Sequence, residues 1–247
     1  MLSKTHTKYI QSLQHKKFRD EYELFLAEGP KVVMDLLNSR KFICKELFAL
    51  EDWLQEEHKA LSFLPGNAIT RVEDFELQKI SSLATAHDVV AVFEKRKPVY
   101  EINTSSIITL ALDTIQDPGN LGTIIRIADW FGIENIICSV GCADMYNSKV
   151  VQSTMGSLGR VNVIYTNLIS WLKENRAMKI YAASLEGKDI KTTGKLKAGI
   201  VIIGNEAHGV SEEVMELVNE KITIARIGEA ESLNAAVAAG IILSHIK

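Results

Sequence analysis

The sequence predicts an α/β protein in two parts, a small α/β domain over residues 1–98 and a parallel-sheet domain over residues 99–247. Three observations carry this reading. From residue 107 onward, strand-length runs that are apolar throughout alternate with helical segments, the pattern of a parallel sheet covered on both faces. Lys95-Arg96-Lys97-Pro98 and the polar stretch Asn103-Thr104-Ser105-Ser106 then interrupt the pattern as a linker does, which puts the boundary between 95 and 106. Finally, 247 residues with 47% hydrophobic and 24% charged side chains form a chain of globular composition, long enough to bury a substantial core.

In the first part, the residue pattern predicts a helix over 4–14, a strand over 24–27 and a helix over 30–38 with Pro30 in its first turn. A strand over 42–50, a helix over 51–61, a short strand over 67–72, a helix over 74–83 and a β-rich run over 89–93 follow. In the second part, strands are expected at 107–112, 135–139, 162–165, 179–183, 200–203 and 221–224. Helices are expected at 121–131, 168–174, 211–218 and 232–246. Sheets of this kind bind ligands beyond the carboxyl ends of their strands, so the informative loops are those after Leu112, Ile203 and Ile224.

Composition removes several classes. The longest nearly unbroken apolar stretch, 235–243, is nine residues, about half of the roughly 18 that a membrane span requires. Residues 1–19 hold five basic and no acidic side chains but lack the apolar run of a secretory signal, so a cytoplasmic protein with no membrane partner is expected. The net charge of −3 excludes a global basic field. The basic surplus sits at the N-terminus, on Lys4, Lys8, Lys16, Lys17 and Arg19, where a solvated helix and a phosphate-contacting one fit equally. Cys44, Cys138 and Cys142 make neither an even disulfide framework nor a zinc site; they read as reduced thiols, and no metal is expected.

The first loop, Asp113 to Gly122, runs into a helix carrying Arg126. Asn120 sits where an N-cap would, and an arginine flanked by Ile124, Ile125, Ile127 and Ala128 is expected to be partly buried and to need an anionic partner. On residue types alone the same stretch is also a Pro-Gly turn, a cap and a surface arginine. The second loop delivers Gly204, Asn205 and Glu206, then Gly209, before a Ser211 cap; the glycines permit close backbone approach, and an Asx turn fits as well. His208 beside Glu206 has no third ligand near in sequence and reads as an exposed turn residue. In the third loop Ser232 is a plausible helix cap ahead of Leu233, Asn234 and a run of Ala and Gly. The spacings of dinucleotide-binding, P-loop and serine-hydrolase motifs are all absent.

Together these loops closely resemble the three signature motifs of the SpoU/TrmH family of RNA ribose 2′-O-methyltransferases in the SPOUT superfamily. The first matches over Asp117-Pro118-Gly119-Asn120-Leu121-Gly122 to Arg126 and Gly132, the second over Gly204-Asn205-Glu206 to Gly209, the third over Ser232-Leu233-Asn234. Lys16-Lys17-Phe18-Arg19 and Ala27-Glu28-Gly29 are similar to the small, ribosomal-protein-like substrate-binding domain of two-domain members.

The resemblance implies a trefoil-knotted methyltransferase domain, S-adenosylmethionine as methyl donor without a metal, structured RNA (rRNA ahead of tRNA) as substrate, and a homodimer through the C-terminal domain. Gly204, Asn205, Ile224, Leu233 and, more weakly, Leu185 would hold the adenosylmethionine. Arg126 would be the catalytic arginine, with Asn120, Glu206, Ser232 and Asn234 around it, while Lys4, Lys8, Lys16, Lys17 and Arg19 would contact RNA. Two departures bear on RNA grip. Ala86-His87-Asp88 stands where members often have Pro-Gln-Gly, and Gln152 where an arginine is frequent. A catalytically silent RNA-binding or assembly factor of the same fold is the alternative, against which Asn120, Arg126, Glu206, Ser232 and Asn234 argue by being present.

Overall fold

The computed structural model describes residues 2–97, 99 and 107–246, and the polar stretch Asn103 to Ser106 lies outside these. The chain divides into two compact units, Met1–Lys97 with Tyr146–Gly159, and Pro98–Met145 with Arg160–Lys247. Tyr146–Gly159, which a boundary at residue 98 assigns to the second domain, packs with the first unit instead.

In the first unit, α1 (Lys4–Ser12) and α2 (Lys16–Tyr22) lead into β1 (Leu24–Glu28), α3 (Pro30–Ser39), β2 (Cys44–Ala49) and α4 (Glu51–Glu57). Then come β3 (Ile69–Arg71), α5 (Asp74–Ile80) and β4 (Val89–Glu94). The sheet order is β1-β4-β2-β3. Strand β4 runs antiparallel to both β1 and β2, and β3 parallel to β2. Pro30 occupies the first turn of α3, as its fixed φ favours.

Arg19 is buried, and its guanidinium donates to the carbonyls of Leu13 (3.0 Å) and Gln14 (2.8 Å), closing the C-terminal end of α1. The helix expected to run on to residue 14 therefore stops, and a second helix forms. The expectation that Arg19 faces RNA is thereby corrected: burying the charged fork against carbonyls that α1 leaves unpaired satisfies both groups.

Tyr146 stands among aromatic side chains of the same unit, 4.7 Å from Phe25 and 6.5 Å from Phe42 between ring centroids. Beyond it, α7 (Ser148–Ser153), which carries Gln152, packs on β1. The turn after α7 lies so close to α3 that a Cβ on Gly156 would stand 2.4 Å from Asp35, and Gly156 also has φ +88°, so only glycine fits there.

The second unit holds β5 (Ile108–Leu112), α6 (Pro118–Trp130), β6 (Asn135–Ser139), β7 (Asn162–Thr166), α8 (Leu168–Glu174), β8 (Ile180–Asp189) and α9 (Ile190–Thr193). It closes with β9 (Gly199–Ile203), α10 (Glu212–Met215), β10 (Glu220–Thr223) and α11 (Ala235–Ile246). All strands are parallel, in the order β10-β8-β9-β5-β6-β7. The central strands β5 and β9 are buried along their whole length, which is why their sequences are apolar without alternation. On one face Ala111, Ile137, Ile180, Ile200 and Ile202 meet Leu168 and Leu172 of α8 and Val214 of α10. Helix α11 packs against α6 and β9. Because β9, β5 and β6 are neighbours, their carboxyl-terminal loops lie side by side, although they are far apart in sequence.

Candidate active site

All three motif loops lie in the second unit. Helix α6 begins one turn earlier than the sequence suggests. Asp117 is its N-cap, its carboxylate accepting from the Asn120 backbone N–H at 2.8 Å, and Pro118 opens the first turn. Asn120 is therefore not the cap, and its side chain is available elsewhere. Its Nδ2 donates to Glu206 Oε1 at 2.7 Å, and its Oδ1 accepts from Asn234 Nδ2 at 2.8 Å. One amide thus ties the first loop to the second and the third.

Chemistry fixes the direction of this chain. A carboxylate only accepts, so Asn120 must turn its NH₂ to Glu206 and its oxygen to Asn234. Asn234 is left with its own oxygen free, and that oxygen caps α11 by accepting from the N–H groups of Ala236 (2.9 Å) and Val237 (3.3 Å). The helix cap expected at Ser232 is therefore Asn234, and Ser232 is exposed in the loop before it.

The second loop is pinned at both ends. Asn205 and Gly209 exchange backbone hydrogen bonds at 2.8 and 2.9 Å, and the Asn205 Oδ1 accepts from the backbone of Ala207 and His208. A Cβ on Gly204 would fall 2.2 Å from the Val210 nitrogen, so the chain closes on itself only with glycine there. Asn205 Nδ2 donates to the Thr114 carbonyl at 2.8 Å. At the far end, buried Asp113 accepts from the backbone N–H (2.9 Å) and hydroxyl (2.7 Å) of Ser211 through Oδ2, and from the Thr114 hydroxyl (3.1 Å) through Oδ1. Ser211 does begin α10, yet its side chain serves this clamp and not the helix end. Sequence reasoning assigned Asp113 and Thr114 no role. The available signal was a carboxylate placed directly after an unbroken apolar strand.

Thr114 has φ +59°, a conformation rare for a β-branched residue, and is held in it by the Ser139 hydroxyl, which accepts its N–H at 2.9 Å. Beside it the Cys142 thiol accepts from the Ile115 N–H at 3.3 Å. A hydrogen bond from the Cys138 side chain, more than any other influence, holds Cys142 below the usual thiol range, whereas burial pushes Cys138 well above it.

Arg126 is exposed on α6, in line with exposed Thr123 and Trp130. Among the described residues it makes no ion pair or hydrogen bond, so of the two readings the surface arginine is the one observed and the buried one with an anionic partner is not: the apolar neighbours in sequence point to the other faces of the helix. Glu206 and Asn234 meet Asn120 and not Arg126.

Residues 107–244 match the SpoU rRNA Methylase family, and residues 4–91 the MRM3-like substrate binding domain. The chain belongs to the SpoU rRNA methylase family. Relatives of this SpoU chain include the 23S rRNA (guanosine-2′-O)-methyltransferase RlmP of Bacillus subtilis, 30% identical over 96% of this chain and 94% of that protein. A TrmH-family RNA methyltransferase of Porphyromonas gingivalis superposes with a TM-score of 0.87 at 33% identity, covering 99% of this chain and 97% of its own. An adenosylmethionine-bound rRNA methyltransferase of Sinorhizobium meliloti does so with a TM-score of 0.87 at 33% identity, covering 98% and 95%.

The third loop of this SpoU domain carries groups that would suit an adenosyl moiety. Among the described residues, 224–233 make no backbone-to-backbone hydrogen bond, which leaves peptide donors and acceptors to read an adenine edge. Leu185, 72% exposed, and Leu233, 46% exposed, are apolar side chains on adjoining segments, and the Leu185 carbonyl accepts from Thr223, next to Ile224. No group of three or more His, Cys, Asp or Glu that could hold a metal ion occurs among the described residues. Nor, among them, is any helix long and apolar enough to cross a membrane.

Proposed function

We propose that this SpoU-family enzyme methylates a ribose 2′-hydroxyl of ribosomal RNA with S-adenosylmethionine as donor. The observation that carries the proposal is the convergence of Asn120, Glu206 and Asn234, one from each motif loop, through hydrogen bonds of 2.7 and 2.8 Å. When bound, S-adenosylmethionine supplies a methyl group on a sulfonium, a good leaving group for an oxygen nucleophile in line with the S–CH₃ bond.

The backbone around Gly204, Asn205, Ile224 and Leu233, with Leu185 beside it, would hold the donor. Asn120, Glu206 and Asn234 keep the three loops in register, and the exposed Ser232 hydroxyl makes no hydrogen bond among the described residues. Arg126 is the residue for the RNA. A guanidinium, with a pKa above about 12, is a poor base but a good partner for the phosphate next to the target ribose and for a developing alkoxide. The hydroxyl proton then passes to that phosphate or to water.

Lys4, Lys8, Lys16 and Lys17, all exposed, are the cations of the first unit that would meet RNA phosphates. The proposal includes the trefoil knot, a cytoplasmic location with the ribosomal RNA, and a homodimer. Exposed apolar side chains on the second unit, Trp130 at 84% and Val237 at 50%, suit association, and sedimentation of wild type against Trp130→Glu tests it.

The central experiment is transfer of labelled methyl groups from S-adenosylmethionine to ribosomal and transfer RNA, comparing wild type with Arg126→Ala. Ribose methylation of an rRNA that depends on Arg126 is the expected result. Binding of S-adenosylmethionine with no transfer to any RNA, including intact ribosomal subunits, would overturn the catalytic reading in favour of a silent homologue.

A further inference from the structure

The surface of α1 and α2 carries a feature that the catalytic loops do not explain, an unbroken row of five rings. His6 and Tyr9 lie 5.7 Å apart between centroids, Tyr9 and Tyr22 5.3 Å, Tyr22 and Phe18 6.1 Å, and Phe18 and His15 6.5 Å. Tyr22 and Phe18 are nearly parallel, at 17°. The row follows from helix periodicity. His15, the N-cap of α2, and Phe18 and Tyr22 within it recur at intervals of three and four, and His6 and Tyr9 at three on α1. The Arg19 bonds to Leu13 and Gln14 fix the corner between the helices and so bring Tyr9 against Tyr22.

One end of this row leans on the core, with His6 5.8 Å from Phe48 between ring centroids and Tyr9 packed against the same core, while the other end faces solvent. His15 and Tyr22 are exposed and the other three half-buried, in a unit whose core aromatics, Phe25, Phe48 and Phe93, are fully enclosed. Lysines flank the row, and several of the nearby carboxylates have partners of their own. Lys95 holds Asp20 at 2.5 Å and reaches Glu23 at 3.9 Å, and His6 holds Glu46 at 2.7 Å. Lys8, Lys16 and Lys17 have no such carboxylate partner among the described residues, and the Lys17 ammonium lies 5.7 Å from the Phe18 ring centre. Flat rings with cations beside them suit a strand of unpaired nucleotides, whose bases stack and whose phosphates pair with lysine.

We infer that the ring row of α1 and α2 is a stacking site for unpaired nucleotides of the RNA substrate, with Tyr22 and His15 as its accessible faces and Lys16 and Lys17 as its phosphate contacts. The inference rests on the methyltransferase reading for the identity of the ligand as RNA. It extends that reading by making base stacking, and not charge alone, part of the small domain's grip.

The test is fluorescence anisotropy of the full chain with fluorescein-labelled octa-adenylate RNA, together with calorimetry of S-adenosylmethionine binding. Tyr22→Leu is expected to weaken oligonucleotide binding about ten-fold at constant salt, the worth of roughly one stacked base, without changing the salt dependence. Lys16→Gln with Lys17→Gln is expected to lower the log–log salt slope by roughly 1.4, two single-strand phosphate contacts. If Tyr22→Leu does not fold by circular dichroism, His15→Ala, at the exposed end of the row, gives the same reading. Wild-type binding by the folded ring variant, or no binding of the oligonucleotide by the wild-type chain, overturns the inference. A chain that fails to bind S-adenosylmethionine overturns the methyltransferase reading separately, whatever the oligonucleotide does.

Discussion

Removing the Asp113 carboxylate should release the end of the second loop, and two substitutions separate the reasons. The carboxylate accepts three hydrogen bonds, two from Ser211 and one from Thr114, in a buried position. In Asp113→Ala the two hydroxyls can rotate toward other acceptors. Ser211 is itself exposed, so its N–H can turn to water, and the expected destabilisation is that of the lost charge-assisted bonds, roughly 2–3 kcal/mol. Asp113→Asn keeps the connectivity: its oxygen accepts both bonds from Ser211, and its NH₂ donates to the Thr114 hydroxyl, which becomes an acceptor. That variant should lose about 1 kcal/mol, the difference between charged and neutral acceptors.

Urea unfolding measures both stabilities, and calorimetry with S-adenosylmethionine reports whether the loop still receives the donor. The expected pattern is weak donor binding in Asp113→Ala and near-native binding in Asp113→Asn. Equal damage in the two variants would mean that the charge of Asp113 matters and its connectivity does not. An alanine variant within about 0.5 kcal/mol of wild type would refute the clamp, because surface-like effects are of that size.

Gly204→Ala should lower S-adenosylmethionine affinity at least ten-fold by calorimetry and stability by about 1–3 kcal/mol, since the new Cβ meets backbone at 2.2 Å. Arg19→Met should cost about 2 kcal/mol in urea unfolding, from two lost carbonyl bonds, while leaving the salt slope of RNA binding unchanged. Cys142, half-buried and with its pKa lowered, should alkylate with iodoacetamide at a pH midpoint below that of an unperturbed thiol. Cys44, pushed up to about 12 by burial, should react only on unfolding, as followed by mass spectrometry. Glu206→Gln should lower methyl transfer about ten-fold with the melting temperature within a few degrees of wild type, because an amide no longer dictates the orientation of Asn120.

What the sequence made legible is what local chemistry decides. The central strands announced themselves because burial on both faces of a parallel sheet demands apolar residues without alternation, as in Ile108–Leu112 and Gly199–Ile203. Helix α2 did not, since its charged run KKFRDEY carries only Phe18 and Tyr22 as an apolar stripe and its formation depends on where Arg19 finds carbonyls. Helix ends were misplaced where two candidate caps lay close together. Asp117 won over Asn120 because Pro118 pre-sets the first turn, and Asn234 won over Ser232 because its amide oxygen was already aimed by Asn120. The second contest cannot be judged without knowing which distant residues arrive. The site residues could be named from motif resemblance, but their partners could not, because Asn120 is 86 residues from Glu206 and 114 from Asn234.

The order of the strands resolves that distance. Asp113 and Thr114 follow β5, Asn205 and Ser211 follow β9, and Ser139 ends β6, so neighbouring strands deliver all five to one edge of the sheet. There the left-handed Thr114 turns its carbonyl to Asn205, which shapes the loop that presents Glu206. Glu206 orients Asn120, Asn120 orients Asn234, and Asn234 starts α11, the helix that packs back on α6 and β9. The polarity of the whole series comes from its carboxylate, the one member that cannot donate. The residues that define the motif loops are thus also the residues that place the last helix of the domain. A substitution there disturbs the loop that would hold the donor and the packing of α11 together, so activity alone cannot separate the two effects, and stability and donor affinity must be measured on the same variant.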